Sequence, residues 1–159
     1  MVPPASSDRL HLLLIEDNAG DVRLIREAFR DHGQAVEIMV ARDGVDALDY
    51  LRGSGISRPR PDLILLDLNL PRKSGREVLR EVKADKGLSA IPVIILTTSA
   101  TDEDIAFSYQ THANTYIVKP VNLDRFLEVI GSIGAYWSRV ACLPGEPGGN
   151  NGNPAARPS

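Results

Sequence analysis

Four short apolar runs each hand over to residues that could do chemistry. Leu63-Ile64-Leu65-Leu66 leads into Asp67, Leu12-Leu13-Leu14-Ile15 into Glu16-Asp17, Val93-Ile94-Ile95-Leu96 into Thr97-Thr98, and Tyr116-Ile117-Val118 into Lys119. Any one of these polar groups alone reads equally well as a solvated loop residue. Their joint appearance puts carboxylates, hydroxyls and an ammonium where buried strands would leave a core. Carboxylates gathered closely repel one another, and their ionised forms are tolerated best around a cation. Asp17 and Asp67 suit a hard ion, and all-oxygen coordination favours magnesium, which keeps several waters and commonly takes carboxylates plus a phosphate oxygen. His11, His32 and His112 have no compact ligand spacing with cysteine or carboxylate, so neither zinc nor iron is indicated and each histidine is expected at the surface or in packing.

For these residues to meet, the runs before them must lie side by side. Apolar runs alternate with segments of helical period along most of the chain, the pattern of repeated strand-helix units with a parallel sheet. A first strand over Leu12 to Ile15 is followed by Val22, Ile25, Ala28 and Phe29 at helical spacing, ending near Gly33. A second strand, Val36 to Val40, precedes a helix from about Asp43 to Leu51 with Val45, Leu48 and Leu51 on its apolar face, and Gly53-Ser54-Gly55 and Pro59-Arg60-Pro61 then break the chain. Leu63 to Leu66 is apolar throughout, so this third strand is expected to be central and covered on both faces, with Val78, Leu79 and Val82 on its helix. Ile91 to Leu96 is expected as a fourth strand, with Pro92 near its start where a missing donor is tolerated. Thr101 or Asp102 can cap the next helix; Tyr116 to Val118 forms the fifth strand, and Asn122 caps a last helix holding Leu123, Phe126, Leu127 and Ile130. In an open, doubly wound α/β sheet, ligands bind beyond the carboxyl ends of the strands, where the polar residues stand.

A chain of 159 residues, 43% hydrophobic, fits one domain with a sizeable core. With 18 basic and 21 acidic side chains the net charge is -3, and no overall cationic field recommends nucleic acid as a partner. The single Cys142 excludes an intrachain disulfide framework and a cysteine metal cluster, and suits a free thiol in a reducing compartment. The start resembles no signal peptide and no apolar run nears the roughly 20 residues of a membrane span, so a cytoplasmic protein is expected. Residues 1–9 read as an N-terminal extension and 10–143 as the folded unit. Residues 144–159, rich in Gly, Pro and Asn, read as a tail too poor in apolar side chains to offset ordering, with no output domain.

Ile15-Glu16-Asp17-Asn18, Leu65-Leu66-Asp67-Leu68-Asn69-Leu70-Pro71, Leu96-Thr97-Thr98 and Val118-Lys119-Pro120 resemble, in order and placement, the signatures of two-component receiver domains. The resemblance spans roughly Leu10 to Val140. It implies a flavodoxin-like (βα)5 fold, doubly wound, with a five-stranded parallel sheet in the order 2-1-3-4-5 and helices on both faces. It also implies that Asp67 takes a phosphoryl group from a phosphohistidine on a sensor histidine kinase, as an acceptor that dephosphorylates itself and not as a turnover enzyme. Mg2+ would be bound by the carboxylates of Asp17 and Asp67, the backbone carbonyl of Asn69 and, through a water, Glu16. Thr97 and Lys119 would hold phosphoryl oxygens. Tyr116 resembles the family's aromatic rotamer switch, with ordinary packing as its alternative. A cis peptide between Lys119 and Pro120 is implied, which would aim the lysine. Thr98 is bulkier than the residue often found there in the family and could slow water reaching the phosphate.

Arg60 to Pro71, Gly75-Arg76-Glu77-Val78-Leu79 and the ending from Tyr136-Trp137 to Leu143-Pro144 are similar to phytochrome-associated single-domain response regulators. This implies a phytochrome-linked histidine kinase as partner and a homodimer through the fourth helix, fifth strand and fifth helix plus the C-terminal segment. Tyr136, Trp137 and Val140 are the candidate contacts; Trp137 could instead fold back onto its own chain. A DNA-binding regulator would need an effector domain that the residues from Pro144 onward do not offer. A haloacid dehalogenase-like, magnesium-dependent phosphohydrolase is the closer rival. It usually carries a second acid two residues after its nucleophile, where Asn69 stands here. Neither phosphate-binding glycine pattern, G-x-x-x-x-G-K nor G-x-G-x-x-G, occurs.

Overall fold

The computed structural model describes residues 9–53 and 59–144; the expectations for residues 1–8, for the break at Ser54-Gly55 and for residues 145–159 lie outside the described residues. Strands and helices alternate as β1 (Leu10–Ile15), α1 (Ala19–Asp31), β2 (Val36–Ala41), α2 (Gly44–Arg52), β3 (Leu63–Leu66), α3 (Gly75–Ala84), β4 (Val93–Thr97), α4 (Asp102–Gln110), β5 (Thr115–Val118) and α5 (Leu123–Ala135). The strands form one sheet in the order β2-β1-β3-β4-β5, parallel at every pairing. This is the flavodoxin-like (βα)5 arrangement that the resemblance implies.

Residue parity sorts the core into two layers, because successive strand side chains point to opposite faces. Leu13, Ile15, Ile64, Leu66, Val93 and Ile95 join Ala47 and Leu48 of α2 and Val78, Leu79 and Val82 of α3 on one face. Leu10, Leu12, Leu14, Leu63, Leu65, Ile94 and Leu96 join Val22, Ile25 and Phe29 of α1 and Phe126, Ile130 and Ile133 of α5 on the other. All four β3 residues are buried, and each Leu or Ile side chain so covered stabilises the fold by about 1.5–3 kcal/mol. A slip of one residue in any strand would swap the two layers, so the hydrophobic pattern itself pins the register that aligns the strand ends.

Each of α1 to α5 opens on a side-chain cap: Asn18, Asp43, Ser74, Thr101 and Asn122 each accept a hydrogen bond from the backbone N–H three residues on. These caps fix where the chain turns from strand carboxyl end into helix. Thr101, not Asp102, is the cap of α4. β4 begins at Val93, two residues later than the apolar run suggests; the Pro92 carbonyl still accepts from the Ile64 N–H at 3.0 Å, but Pro92 has no N–H to continue the ladder. α5 runs without a break into a π-helical stretch over Tyr136–Val140. Among the described residues, no helix is long and apolar enough to cross a membrane.

Candidate functional site

Backbone hydrogen bonding continues one residue past three strands. The Glu16 N–H donates to the Ala41 carbonyl at 3.0 Å, the Asp67 N–H to Ile15 at 3.0 Å and the Lys119 N–H to Thr97 at 2.8 Å. Glu16, Asp67 and Lys119 therefore still occupy sheet positions, and their side chains leave from fixed points. The loop after β3 is held close by Gly75, whose N–H donates to the Leu68 carbonyl at 3.0 Å. A Cβ at Gly75 would collide with the Asp67 carbonyl oxygen, so no larger residue fits without moving that backbone.

The polar residues expected at the strand ends do meet. Lys119 Nζ lies 2.6 Å from Glu16 Oε2, 2.9 Å from Asp21 Oδ2 and 3.1 Å from Asp67 Oδ2. The Thr97 hydroxyl and the Asn69 N–H both donate to Asp67 Oδ1, at 2.8 and 3.0 Å. Each oxygen of Asp67 thus has its own donors. Glu16 accepts the Asn18 N–H on Oε1 at 3.1 Å. Asn69 Nδ2 reaches the hydroxyls of Thr97 and Thr98, each at 3.4 Å, which puts Thr98 at the exposed lip of the cluster.

Glu16, Asp17 and Asp67 each present a carboxylate oxygen within 4.8 Å of the others, Glu16 and Asp67 buried and Asp17 exposed. Lys119 pairs with three carboxylates, those of Glu16, Asp21 and Asp67, and Asp17 adds a fourth beside Glu16 and Asp67, so carboxylates outnumber the ammonium at the site. Two dry oxygens and one wet edge suit a hard divalent cation that retains part of its water shell, and the absence of nitrogen or sulfur donors disfavours zinc. Burial pushes the Glu16 carboxyl up to about 7, with the Asp67 charge adding to the rise and the hydrogen bond from Lys119 opposing it. Burial pulls the Lys119 ammonium down, but the hydrogen bonds to Glu16 and Asp21 outweigh it and hold lysine above its usual value. Lys119 stays charged at neutrality, and Glu16 is the acid whose ionisation an added cation would favour.

Tyr116 lies beside this cluster, its ring packed on the α2–α3 face of the core and its hydroxyl donating to the Ser99 carbonyl at 2.8 Å. Ser99 in turn donates through Oγ to Asp104, which also accepts from Arg76 Nε at 2.7 Å. The guanidinium of Arg76 stands 4.7 Å over the Phe107 ring. The loop after β4 is thereby tied to α3, α4 and β5 at once. Sequence reasoning missed Ser99, Asp104 and Arg76, which look like ordinary surface polar residues in the linear chain. Asp21 was missed too, although it follows Asp17 by four residues, a helical spacing that could have drawn attention to it.

The Lys119–Pro120 peptide is trans, as is every peptide bond among the described residues, so the expected cis bond is corrected. The lysine needs no such bond for its aim, because its N–H continues the ladder from β5 and its ammonium is held by three carboxylates. Trp137 is half-buried against the α1–α5 layer and meets Tyr136 edge-on, with centroids 5.3 Å apart. Tyr136 and Val140 remain exposed. His32 Nδ1 lies 2.7 Å from the Ala28 carbonyl at the end of α1, a packing role, and no histidine joins the acidic cluster.

Residues 12–131 match the response regulator receiver domain model. Response regulator Rcp1 of Synechocystis sp. is 42% identical over 135 residues, 84% of this chain and 92% of that protein. The crystal structure of a phosphorylated cyanobacterial phytochrome response regulator, RcpA, superposes with a TM-score of 0.82 at 45% identity, over 86% of this chain and 99% of that one. The Mn2+-bound form of Rcp1 gives a TM-score of 0.81 at 40% identity, over 86% and 99% of the two chains.

Proposed function

We propose, on the premise that the chain belongs to the response regulator receiver domain family, that Asp67 accepts a phosphoryl group from a phosphohistidine on a sensor histidine kinase. The observation that carries this reading is the pairing of donors on one buried carboxylate: Lys119 Nζ on Oδ2 at 3.1 Å and the Thr97 hydroxyl on Oδ1 at 2.8 Å. In the transfer, an Asp67 oxygen forms the O–P bond as the N–P bond to histidine breaks, and the imidazole nitrogen keeps the electron pair. Charge spreads over the three equatorial oxygens of the moving group, so the protein's task is positioning and neutralisation. Lys119 and Thr97 donate to two of those oxygens.

Mg2+, when bound by Asp17, Asp67, the Asn69 carbonyl and a water on Glu16, supplies further neutralisation of phosphoryl charge. The acidic cluster supports a divalent cation, and a related receiver has been crystallised with Mn2+. As Thr97 moves toward the phosphoryl group, the β4–α4 loop follows, and Tyr116 moves with it through the bond to Ser99. The signal leaves through surfaces of the receiver, residues 10–143, with a homodimer through α4, β5, α5 and the exposed Tyr136 and Val140. Hydrolysis of the acyl phosphate, with Thr98 and Asn69 at the water entrance, returns the switch to its starting state. The similarity to a cyanobacterial phytochrome response regulator supports a phytochrome-linked kinase as donor, and the transfer is placed in the cytoplasm. Asn69, an amide, cannot serve as the general acid of a dehalogenase-type hydrolase.

Incubation with a phosphorylated phytochrome-linked kinase, followed by intact mass spectrometry, should show one added phosphoryl group on the wild type and none on Asp67→Asn. A wild-type protein left unmodified both by such kinases and by acetyl phosphate in Mg2+ would reject the acceptor role.

A further inference from the structure

Lys119 spends one of its three ammonium donors on a residue that neither offers a metal-facing oxygen nor accepts the phosphoryl group. Asp21 Oδ2 lies 2.9 Å from Lys119 Nζ, closer than Asp67 Oδ2 at 3.1 Å. The ammonium side chain is 8% exposed and Asp21 27% exposed, so the pair is only partly screened by water. Asp21 does not reach the lysine by chance of a floppy surface side chain. It stands in the first turn of α1, and its N–H is held by the Asn18 cap at 3.0 Å. The carboxylate therefore projects from a fixed backbone position.

The three acceptors match the three N–H bonds of an ammonium. Lys119 is thus saturated before any phosphoryl group arrives, and a phosphoryl oxygen can gain the lysine only by displacing one of the three. We infer that Asp21 is a positioning residue for Lys119: it anchors the ammonium on the α1 side of the cluster and competes with the phosphoryl group for it. This inference rests on the acceptor role of Asp67. It makes the tightness with which the phosphorylated state is held a property of the first turn of α1, outside the strand-end residues. Removing the Asp21 charge frees a donor of Lys119 and strengthens the grip on the phosphoryl group.

The test is titration of the full chain with beryllofluoride, a phosphoryl mimic, at saturating Mg2+, following Tyr116 and Thr97 by fluorescence or NMR. Asp21→Asn should bind the mimic about fivefold more tightly than the wild type, and Asp21→Glu, which keeps the charge, should lie between them. In a Lys119→Ala background the Asp21→Asn effect should vanish, because the competition runs through the ammonium; a general field effect of one lost charge would persist there. Asp21→Ser serves as a second neutral variant if Asp21→Asn folds poorly. Equal affinity in wild type and both neutral variants, or an unchanged Asp21→Asn effect without Lys119, would overturn the inference while leaving Asp67 as acceptor. A wild type that does not bind the mimic at all would overturn the acceptor reading and this inference together.

Discussion

Glu16 is 2% exposed and shares its surroundings with Asp67 and Lys119, and that burial has a pH signature. Its carboxyl is raised from 4.5 to about 7, chiefly by burial. A group whose folded value is raised contributes stability that is fully present below the unfolded value and is lost as pH rises through the folded one. Without metal, the protein should therefore lose stability between about pH 5 and about pH 8, by on the order of 2 kcal/mol. Urea midpoints in a chelator across that range should fall for the wild type and stay flat for Glu16→Gln; parallel curves would remove Glu16 as their cause. Added Mg2+ should recover the loss at the alkaline end by rewarding the ionised form. The residues of this cluster differ in how plainly the sequence announces them. Asp17, Asp67, Thr97 and Lys119 stand out because an apolar run ends at each, whereas Asp21 sits in a helix first turn, where acids are common for the sake of the helix dipole alone. Only the folded chain, which brings residues 21 and 119 to 2.9 Å, separates the two explanations.

At the scale of elements, the loop after β3 depends on Gly75, which packs against the backbone of Asp67 and Leu68. Gly75→Ala should cost roughly 1–3 kcal/mol, as overpacking of a tight site does, and should also displace the acceptor aspartate. Thermal unfolding and beryllofluoride affinity should fall together. A variant that keeps wild-type affinity after losing stability would show that the loop relaxes away from Asp67. Helix starts were legible at Thr101 and Asn122, since short polar residues before apolar spacing accept the free N–H groups of a first turn; the caps Asn18 and Ser74 went unread. β3 was legible to the residue, because a run apolar at every position between turn residues has few other solutions. The start of β4 was not: Ile91 is as buried as a strand residue, but the ladder cannot begin until after Pro92. Nor was the passage of α5 into a π-helical stretch, where Ser138 donates to the Gly134 carbonyl and no proline marks the change.

At the scale of the whole molecule, two apolar layers enclose one sheet, and the proposed dimer uses what lies outside them. Trp137 contributes to the intramolecular layer, which leaves Tyr136 and Val140 as the outward-facing members of the expected contact. Sedimentation of the wild type at tens of micromolar should show a dimer, and a Tyr136→Ala, Val140→Asp double variant should sediment as a monomer with an unchanged melting temperature. Trp137→Ala should instead lower the melting temperature, since it opens a space in the layer. A wild type that is monomeric with and without beryllofluoride would dispose of the dimer. The strand-helix alternation and the doubly covered central β3 were legible from the apolar pattern, while the strand order came from the receiver resemblance; which aromatic faces inward depends on the end of α5 and could be read only in three dimensions. One last consequence comes from the ladder bonds that carry Glu16, Asp67 and Lys119 past the ends of their strands. Adjacent strands in any sheet lie about 4.8 Å apart, so the sheet acts as a ruler for the chemistry. The spacing of the reacting groups is inherited from the hydrogen bond itself, and the outer surfaces of α1 to α5 are free to diverge toward new partners without recalibrating it.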